Sequence, residues 1–547
     1  MAKLRFTNGL AAAATAMALV LGGCGGGTSS TPAPAPGPLP TPVPVVTPTL
    51  QTLTNQPPVG VLLALLLTDG TVMVQANPDN RPGAGAGDFY RLTPDANGNY
   101  AAGTWTRFAA PPAGYAPYAS AEAVLADGRV LFVGGEYNQD NYALPFAPSA
   151  LTDMSAVFDP AANRWQMIAA PPGQAYIGDV SSSVLPDGRF LFGSKLDKAM
   201  WALDPVSLTW TAIAATGKSD NFAEEGFTLL PGGNILVVDM TNTPQSEHFV
   251  LASTSWIQDG PTPVTLTSPT DRPAGLTYGP APIQTVGGVT YGPGPAGTYY
   301  PPGEIGPAIL RPDGSVFATG SAVSGRAAAT AVYRPALRPD QPGSWTRGPD
   351  FPGTDNAGDS SAALLPSGNV LIAGVSGALY EFDGATLQRT LAPPAGNSSE
   401  VPLFLLPLPS GQVLVLSPTL TVLARVYVPL GSPQASWAPT ITTVPNSLTR
   451  GSTYTLTGIQ LNGLSEAAAY GDELSAATNY PLVRLTNTAS GHVVYARTHN
   501  HSTMGVATGA TPVTTRFDVP GTAETGATML VVVANGIASA PVAVSIN

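Results

Sequence analysis

Short apolar runs that fold back on themselves at a glycine recur along residues 60–420. Each copy has an apolar segment, a two-residue turn that ends in Gly, and a second apolar segment. Because Asp-Gly and related pairs between β-rich runs favour tight turns with positive φ, each copy predicts a β-hairpin. The copies are ALLLTDGTVMV at 64–74, AVLADGRVLFVGG at 123–135, SVLPDGRFLFG at 183–193, TLLPGGNILVVD at 228–239, AILRPDGSVFATG at 308–320, ALLPSGNVLIAG at 363–374 and LLPLPSGQVLVLS at 405–417.

A second signature, a turn followed by a tryptophan, comes after six of the seven hairpins. The tryptophans are Trp105, Trp165, Trp210, Trp256, Trp345 and Trp437. The turn glycines are Gly70, Gly128, Gly188, Gly233, Gly314, Gly368 and Gly411, with spacings of 58, 60, 45, 81, 54 and 43 residues. Repeats of about 45–60 residues with four short strands each are typical of propeller blades. The pattern predicts an all-β protein with a seven-bladed kelch-type β-propeller over residues 58–437.

Two regions depart from the repeat. The 81-residue spacing contains an insertion at roughly 258–303 that is rich in Gly, Pro and Tyr. Long loops on a rigid scaffold serve as binding elements or as covers for a sheet edge, and both interpretations stay open for this insertion. Residues 438–547 lack the hairpin signature and show alternating segments such as Thr453–Leu456. We expect them to form an immunoglobulin-like β-sandwich.

The N-terminus has the organisation of an export signal and a tether. Lys3 and Arg5 precede a short apolar run, and residues 1–23 are expected to be a signal peptide. Leu21-Gly22-Gly23-Cys24 resembles the lipobox of bacterial lipoproteins, which implies lipidation of Cys24, the only cysteine. Residues 24–57 are rich in Gly, Ser and then Pro, which favours a semi-rigid spacer. We therefore expect a protein anchored through lipid to the bacterial cell envelope, at the outer membrane or cell surface.

Composition narrows the function. Only 11% of residues are charged and the net charge is −12, which argues against a nucleic-acid partner, because such proteins need basic patches. A single cysteine excludes intrachain disulfides, a Cys-based zinc site and an iron–sulfur cluster. No Gly-x-Ser-x-Gly, phosphate-loop or His-Glu-x-x-His motif occurs, and we expect no organic cofactor.

The predicted architecture resembles galactose oxidase and the wider copper-radical oxidases. The runs AAAYGDELSAATNYPLVRLTN at 467–487 and VVYARTHNHSTMGVATG at 493–509 resemble the early-set domain of that family. The family holds copper on the propeller axis with two tyrosines and two histidines, one tyrosine being cross-linked to a cysteine.

The resemblance carries over to few of these ligands. Asp179 stands where the family has the radical tyrosine, Ala121 replaces its cysteine partner, and Glu400-Val401-Pro402 replaces the Tyr-His pair. Only the sandwich histidine has a counterpart, His499. We therefore expect radical oxidation to be lost and lean towards a protein without enzymatic activity.

The position just before the first strand of each hairpin predicts a ring of carboxylates at one mouth of the propeller channel. The acids that precede the inner hairpin strands are Asp179, Glu224, Glu304, Asp359 and Glu400. If they converge, their mutual repulsion needs a hard cation such as Ca²⁺ or the hydroxyls of a glycan, with Tyr118 and Tyr176 as stacking faces. The alternative is that these acids point outward or cap local loops.

The histidines suggest a weaker metal hypothesis. His499 and His501 are two residues apart, and on a strand they would face the same side and could chelate a metal such as copper.

Three functions stay open: a non-catalytic glycan-binding lipoprotein, which we favour; a divergent metal-dependent oxidase or lyase of the galactose or glyoxal oxidase type; and a scaffold for envelope proteins.

Overall fold

The computed structural model describes residues 47–547 apart from several gaps. The residues outside the description are 1–46, 78–84, 139–151, 175, 179, 271–274, 281–282, 295, 301, 324–325, 393–402 and 472–474. The predicted signal peptide, Cys24 and most of the predicted spacer therefore lie outside the described residues, as do Asp179 and Glu400. Within the described part, no helix is long and apolar enough to cross a membrane.

Seven antiparallel sheets form blades I to VII of a β-propeller, so the predicted fold class is confirmed. A strand β1 (Thr49–Thr52) precedes blade I. Blade I contains β2 (Val61–Leu66), β3 (Val72–Ala76), β4 (Phe89–Thr93) and β5 (Thr104–Arg107). Blade II contains β7 (Ala121–Val124), β8 (Val130–Val133), β10 (Ser155–Asp159) and β11 (Arg164–Ile168), with β6 (Pro117–Tyr118) pairing β9 (Tyr137–Asn138) beside it.

The remaining blades follow the same plan. Blade III contains β12 (Ser182–Val184), β13 (Phe190–Gly193), β14 (Met200–Asp204) and β15 (Thr209–Ile213). Blade IV contains β16 (Thr228–Leu229), β17 (Ile235–Val238), β18 (Ser246–Val250) and β19 (Ser255–Gln258). Blade V contains β24 (Ala308–Leu310), β25 (Val316–Thr319), β26 (Thr330–Arg334) and β27 (Ser344–Arg347). Blade VI contains β28 (Ala362–Leu364), β29 (Val370–Ala373), β30 (Leu379–Phe382) and β31 (Leu387–Leu391).

Blade VII closes the ring with strands from both ends of the chain. It contains β32 (Phe404–Pro407), β33 (Val413–Leu416) and β34 (Arg425–Val428), and β1 supplies its outermost strand by pairing with β34. The predicted start of the propeller at residue 58 is therefore too late, since residues 49–52 belong to a blade. The prediction for Trp437 is also wrong. This residue lies in a short 3-10 helix after β34, because β1 occupies the outer position of blade VII.

The local signals of the other blades are confirmed. All seven turn glycines have positive φ, for example 84° at Gly128. Trp105, Trp165, Trp210, Trp256 and Trp345 all lie on the outermost strands of their blades. Each faces an apolar residue of the third strand, as Trp165 faces Phe158 in the register of blade II. The inner strands lie side by side around the axis, with β32 next to β2.

The insertion after blade IV forms an arm that reaches across the propeller. Its strands are β20 (Leu276–Tyr278), β21 (Gln284–Val286), β22 (Val289–Tyr291) and β23 (Gly297–Tyr299), paired as β20 with β23 and β21 with β22. The Tyr291 hydroxyl donates to the carbonyl oxygen of Ile168 at 2.6 Å, and Tyr291 is buried in the core beside blade II. The arm leaves from blade IV and docks on blade II, so it passes over blade III.

The C-terminal domain is a curled, sandwich-like sheet. Its strands are β35 (Thr440–Thr443), β36 (Ser447–Leu448), β37 (Thr453–Ile459), β39 (Leu482–Asn487), β40 (Val493–His499), β41 (Pro512–Asp518), β42 (Gly526–Ala534), β43 (Ile537–Ala538) and β44 (Val542–Ile546). β40 pairs with β39 along its first half and with β41 along its second half. β40 therefore belongs to both halves of the curled sheet. The two halves enclose one core, which includes Leu456, Phe517 and Leu530.

The sandwich-like domain packs on the face of the propeller that carries the hairpin turns. The backbone N–H groups of Thr498, His501 and Met504 donate to carbonyl oxygens at the turns of blades I, II and III, with distances of 3.0, 3.2 and 3.2 Å. The inner strands run from the opposite face towards these turns. The residues that precede the inner strands therefore surround the far end of the channel, which we call the channel mouth.

Candidate functional site at the channel mouth

A segment of the sandwich-like domain enters the propeller channel. This channel segment comprises residues 463–481, of which 472–474 are not described. Within it, β38 (Ala468–Ala469) pairs with the inner strand β28 of blade VI. The Tyr480 hydroxyl donates to the carbonyl oxygen of Leu66 in blade I, and the Tyr470 ring stacks on Phe404 in blade VII at 6.4 Å. The channel is therefore lined by the propeller and filled by the other domain.

Carboxylates hold the channel segment to blades II, III and IV. Glu122, buried on β7, accepts the backbone N–H of Ser475 at 3.0 Å. Glu466 accepts the Ser183 hydroxyl of blade III at 2.8 Å and the backbone N–H of Leu229 in blade IV at 3.2 Å. Burial raises the pKa of Glu466 to about 7 and the pKa of Glu122 well above its usual range. Both groups are buried acids whose neutral forms the channel favours.

Equivalent positions before the inner strands of three blades share a left-handed backbone conformation. Ala119, Glu224 and Asp359 each stand nine residues before a turn glycine, and their φ angles are 50°, 56° and 48°. Left-handed backbone is costly for residues with a Cβ and is concentrated at functional sites. Asp179 occupies the same register in blade III but lies outside the described residues.

The backbone segments that carry three of the predicted acids meet around Gly471 of the channel segment. A Cβ on Gly471 would lie 2.7 Å from the carbonyl oxygen of Ile305, which follows Glu304, and 3.4 Å from the backbone nitrogen of Asp359. A Cβ on Gly226, close to Glu224, would lie 2.7 Å from the carbonyl oxygen of Gly471. The segments that carry Glu224, Glu304 and Asp359 thus meet where the channel segment reaches the mouth. Glu400 lies outside the described residues.

A buried ion triad lies beside these acids. Lys195 Nζ is 2.8 Å from Glu136 Oε1 and 3.5 Å from Glu224 Oε1, and the lysine side chain is 4% exposed. The Tyr299 ring of the arm covers the ammonium at 5.1 Å, within the range of a cation–π interaction. Lys195 thereby holds two glutamates in a desolvated position next to the mouth.

The sequence pattern missed Glu136 and Lys195, although a signal for them exists. Glu136 follows the second strand of blade II and Lys195 follows the second strand of blade III, eight and seven residues after their turn glycines. Loops after the second strand open on the same face as the residues before the first strand. A search of both loop positions in each blade would have found this pair.

The two predicted stacking tyrosines have different surroundings. Tyr118 is half-buried and its ring meets Tyr137 edge to face at 5.5 Å. Tyr176 is 2% exposed, and Tyr278 of the arm covers its ring at 5.2 Å. Tyr176 therefore cannot offer a stacking face, because the insertion, whose course the sequence pattern does not define, packs over it. Burial raises the pKa of its hydroxyl to about 12.

Three buried hydroxyls near the mouth have no hydrogen-bond partner among the described residues. They belong to Tyr176, Ser181 and Ser182, which are all in the segment before and at the start of blade III. Ser182 also lines a channel cavity of about 20 Å³ together with Thr228 and Glu466. Unsatisfied buried hydroxyls are uncommon in proteins and call for a partner such as a ligand or water.

A second buried charge cluster includes Glu225, the residue that follows Glu224. Lys218 Nζ is 2.6 Å from Asp220 Oδ1, 3.1 Å from Glu225 Oε2 and 2.7 Å from Glu247 Oε1. Among the described residues, one group of three carboxylates is close enough to share a metal, Asp220, Asp239 and Glu247. The Lys218 ammonium already supplies a cation to this group. The contact between Lys218 and Glu225 fixes the residue next to Glu224, whose backbone is left-handed.

The predicted histidine pair lies at the opposite face. His499 Nε2 is 3.2 Å from Asp518 Oδ1, whereas the His501 ring is buried against Tyr480 with Nδ1 2.9 Å from the Thr515 hydroxyl. Each ring has its own partner on β41, and the backbone of His501 bonds to the turn of blade II, away from the mouth. These separate partners indicate structural roles for both histidines. The expectation of a shared metal considered only the two-residue spacing, which does not show what each ring contacts.

Copper does not fit the donor groups at the mouth. The other histidines are also engaged elsewhere: His248 on β18 lies 2.8 Å from Asp259, and His492 lies 2.7 Å from Glu524 in the sandwich-like domain. The channel segment contains no histidine or cysteine. The described mouth therefore offers carboxylates and hydroxyls, whereas copper sites are built with imidazole or thiolate ligands.

Comparison with known proteins supports the architecture. No family model matches the chain, and no curated protein matches it. A fungal alcohol oxidase of the AA5 family, solved in complex with copper, superposes with a TM-score of 0.51 at 14% identity, covering 92% of this chain and 100% of that chain. YCF48 from Cyanidioschyzon merolae superposes with a TM-score of 0.40 at 11% identity, covering 70% of this chain and 98% of that chain. At these identities the likeness concerns the fold alone: the chain shares a β-propeller fold with the fungal alcohol oxidase.

Proposed function

We propose that this chain is a tethered lipoprotein that binds a polyhydroxylated ligand, a glycan, at the channel mouth and does not oxidise it. The observation that carries the proposal is the group of buried hydroxyls of Tyr176, Ser181 and Ser182, which have no hydrogen-bond partner in the described part of the chain. Sugars are recognised by such hydroxyls together with carboxylates, since each sugar hydroxyl both donates and accepts a hydrogen bond. The buried carboxylates of Glu136 and Glu224, both in contact with Lys195, support the proposal as further polar groups of the mouth.

Titration calorimetry with a panel of mono- and oligosaccharides tests the binding. The protein is the chain from residue 25 onward, which leaves every described residue in place. We expect one ligand per chain and a several-fold loss of affinity in Tyr176→Phe, which removes only the hydroxyl. Glu524→Gln is the matched control, because that acid is exposed in the sandwich-like domain. Equal affinity of Tyr176→Phe and the native chain would contradict the proposed site.

The same material separates binding from catalysis. The chain is incubated with copper and with each bound sugar, and hydrogen peroxide is measured. Absence of peroxide, with the sugar recovered unchanged, is the expected result. Copper-dependent peroxide release would establish the divergent oxidase instead.

The anchor is a separate part of the proposal, supported by Leu21-Gly22-Gly23-Cys24 and the Pro-rich spacer. Acylation at Cys24 would give stable attachment, since several acyl chains bind a membrane far more firmly than one. Cys24→Ala should move the protein from the membrane fraction to the soluble fraction and abolish incorporation of labelled fatty acid. Unchanged membrane attachment of this variant would contradict a lipid anchor at Cys24.

A further inference from the structure

A buried histidine joins blades IV and V through both of its ring nitrogens. His248 on β18 is 2% exposed, with Nδ1 2.8 Å from Oδ2 of Asp259, just after β19, and Nε2 2.9 Å from the carbonyl oxygen of Pro339. Pro339 belongs to residues 335–343, which connect β26 and β27 and which we call the blade V loop. The ring therefore lies within hydrogen-bond distance of both blades.

Both partners of the ring are acceptors, which determines how many protons the ring carries. A carbonyl oxygen can only accept a hydrogen bond, and so can an ionised carboxylate. The other oxygen of the Asp259 carboxylate accepts the Tyr333 hydroxyl at 3.0 Å and the backbone N–H of Gly343. Such donors stabilise the ionised form of a carboxyl group. Both ring nitrogens of His248 then donate, and the ring is a doubly protonated imidazolium.

Burial and hydrogen bonding act on this ring in opposite directions. Burial disfavours the charged form and by itself lowers the pKa of His248, whereas the hydrogen bond and negative charge of Asp259, together with the Pro339 carbonyl, raise it. The net result is a pKa above the ordinary value of 6.5. The ring is thus charged at pH 6.5 and loses a proton as the pH rises further.

The charged residues next to this bridge in the sequence form pairs away from the ring. Adjacent strand residues point to opposite faces, so Glu247 lies on the other side of β18, where it contacts Lys218. Arg338 and Asp340 of the blade V loop pair with each other at the exposed surface. The titratable groups that face the ring are Asp259 and, behind its carboxylate, Tyr333.

We propose that His248 is a pH-sensitive latch that holds the blade V loop to blade IV while the ring is doubly protonated. Loss of one proton to solvent leaves a single N–H for two acceptors. The remaining N–H stays with the charged Asp259 carboxylate, the stronger acceptor, and Nε2 then presents a lone pair to the Pro339 carbonyl. Asn234 still donates to that carbonyl at 3.2 Å, so the loop loosens but stays attached. The latch is independent of the proposed glycan binding at the channel mouth.

Nuclear magnetic resonance of the chain from residue 25 onward, with labelled histidine rings, tests the protonation directly. The chain has four histidines, and the His248 signal is identified by its absence in His248→Gln. We expect this ring to be doubly protonated at pH 6.5 and to titrate above that value. His501, whose pKa burial lowers to about 3, is the internal reference for a neutral ring. A His248 ring that is already neutral at pH 6.5 would overturn the latch.

Two substitutions test the part played by the carboxylate. Asp259→Asn removes the negative charge and keeps the shape, so the effect of burial should dominate and the His248 titration should move towards acid by about one pH unit or more. Asp340→Asn is the matched control, because it removes an exposed acid of the blade V loop, and it should leave the titration unchanged. An unchanged titration in Asp259→Asn would contradict the proposal, and the native titration stands alone if that variant does not fold.

Hydrogen exchange shows whether the blade V loop follows the ring. After correction for the intrinsic pH dependence of exchange, protection of the backbone N–H groups at 336–343 should fall several-fold as the pH rises through the His248 titration. His248→Gln should show weak protection that does not vary with pH. The corresponding turn of blade VI, between β30 and β31, is the control and should keep constant protection. Constant protection of the blade V loop while His248 titrates would show that the histidine does not hold it, which overturns the proposal.

Discussion

The carboxyl group of Glu466 accepts a 2.8 Å hydrogen bond from the hydroxyl of Ser183. The first residue comes from the sandwich-like domain and the second from the inner strand β12, so the contact joins two parts of the chain that are 283 residues apart. The same carboxyl group accepts the backbone N–H of Leu229 in the next blade. Glu466 thereby fixes the channel segment between blades III and IV.

The stability of the protein should depend on the protonation of Glu466. Burial raises its pKa to about 7 from an ordinary value of 4.5, so its contribution is fully present below pH 4.5 and is lost as the pH rises through 7. The shift corresponds to about 3 kcal/mol in the free energy of unfolding. Glu466→Gln, which is neutral at every pH, should remove this fall, as measured by chemical denaturation between pH 4.5 and 8. An unchanged pH profile in the variant would show that Glu466 does not titrate in the folded protein as expected.

His501 should produce the opposite pH dependence. Burial, helped by His499 and Arg497, lowers its pKa to about 3 from 6.5, so its contribution is fully present above pH 6.5 and is lost as the pH falls. At pH 5 the expected loss is about 2 kcal/mol. The two slopes oppose each other between pH 4.5 and 6.5, so each becomes visible when the other group is removed. His501→Phe, which keeps the stack on Tyr480, should flatten the acid side of the profile in the Glu466→Gln background.

Lys218 should be essential for the stability of blade IV. Its replacement by Met leaves Asp220, Glu225 and Glu247 buried without their ammonium. Breaking a buried ion cluster from one side costs about 3–5 kcal/mol, because the charges left behind are uncompensated. The midpoint of urea denaturation should fall accordingly. Arg338→Met, which breaks an exposed pair with Asp340, serves as control and should leave the midpoint unchanged. A similarly small effect of Lys218→Met would mean that the acids are neutral in the folded protein.

Gly471 should tolerate no side chain. A Cβ at this position would lie 2.7 Å from the carbonyl oxygen of Ile305, where the channel segment touches blade V. Gly471→Ala should therefore destabilise the protein by about 1–3 kcal/mol, the usual cost of overpacking. Gly521→Ala is the matched control, since a Cβ there meets nothing within 4 Å. Equal thermal midpoints for the two variants would contradict the tight passage at the mouth.

Local signals in the sequence predicted the blades well, and long-range contacts limited the rest. The turn glycines and the tryptophans such as Trp165 report on hairpins and outer strands, which form within one repeat. Trp437 was misassigned because blade VII takes its outer strand from the other end of the described chain, and no repeat signal marks β1.

The candidate site was predicted only in part for the same reason. The sequence aligned Glu224, Glu304 and Asp359 at equivalent positions before the inner strands, because this register is a property of single blades, and the backbone segments that carry them meet around Gly471. Lys195 was missed because its role depends on Glu136 of the preceding blade and on Tyr299 of the arm. The burial of Tyr176 follows from the path of the arm, which the composition of the insertion does not reveal.

The ring closure gives a prediction about truncation. A chain that begins at residue 58, the boundary expected from the sequence, lacks β1 and therefore leaves β34 as an unpaired edge. It also removes Leu53, which is buried in the propeller core. Exposed sheet edges promote aggregation, and the loss of the closing strand should lower the thermal midpoint by several degrees. A chain that begins at residue 47 retains both features and is the control. The comparison by scanning calorimetry and gel filtration should show a stable monomeric profile only for the longer chain, and equal behaviour of the two would mean that β1 contributes little to closing the propeller.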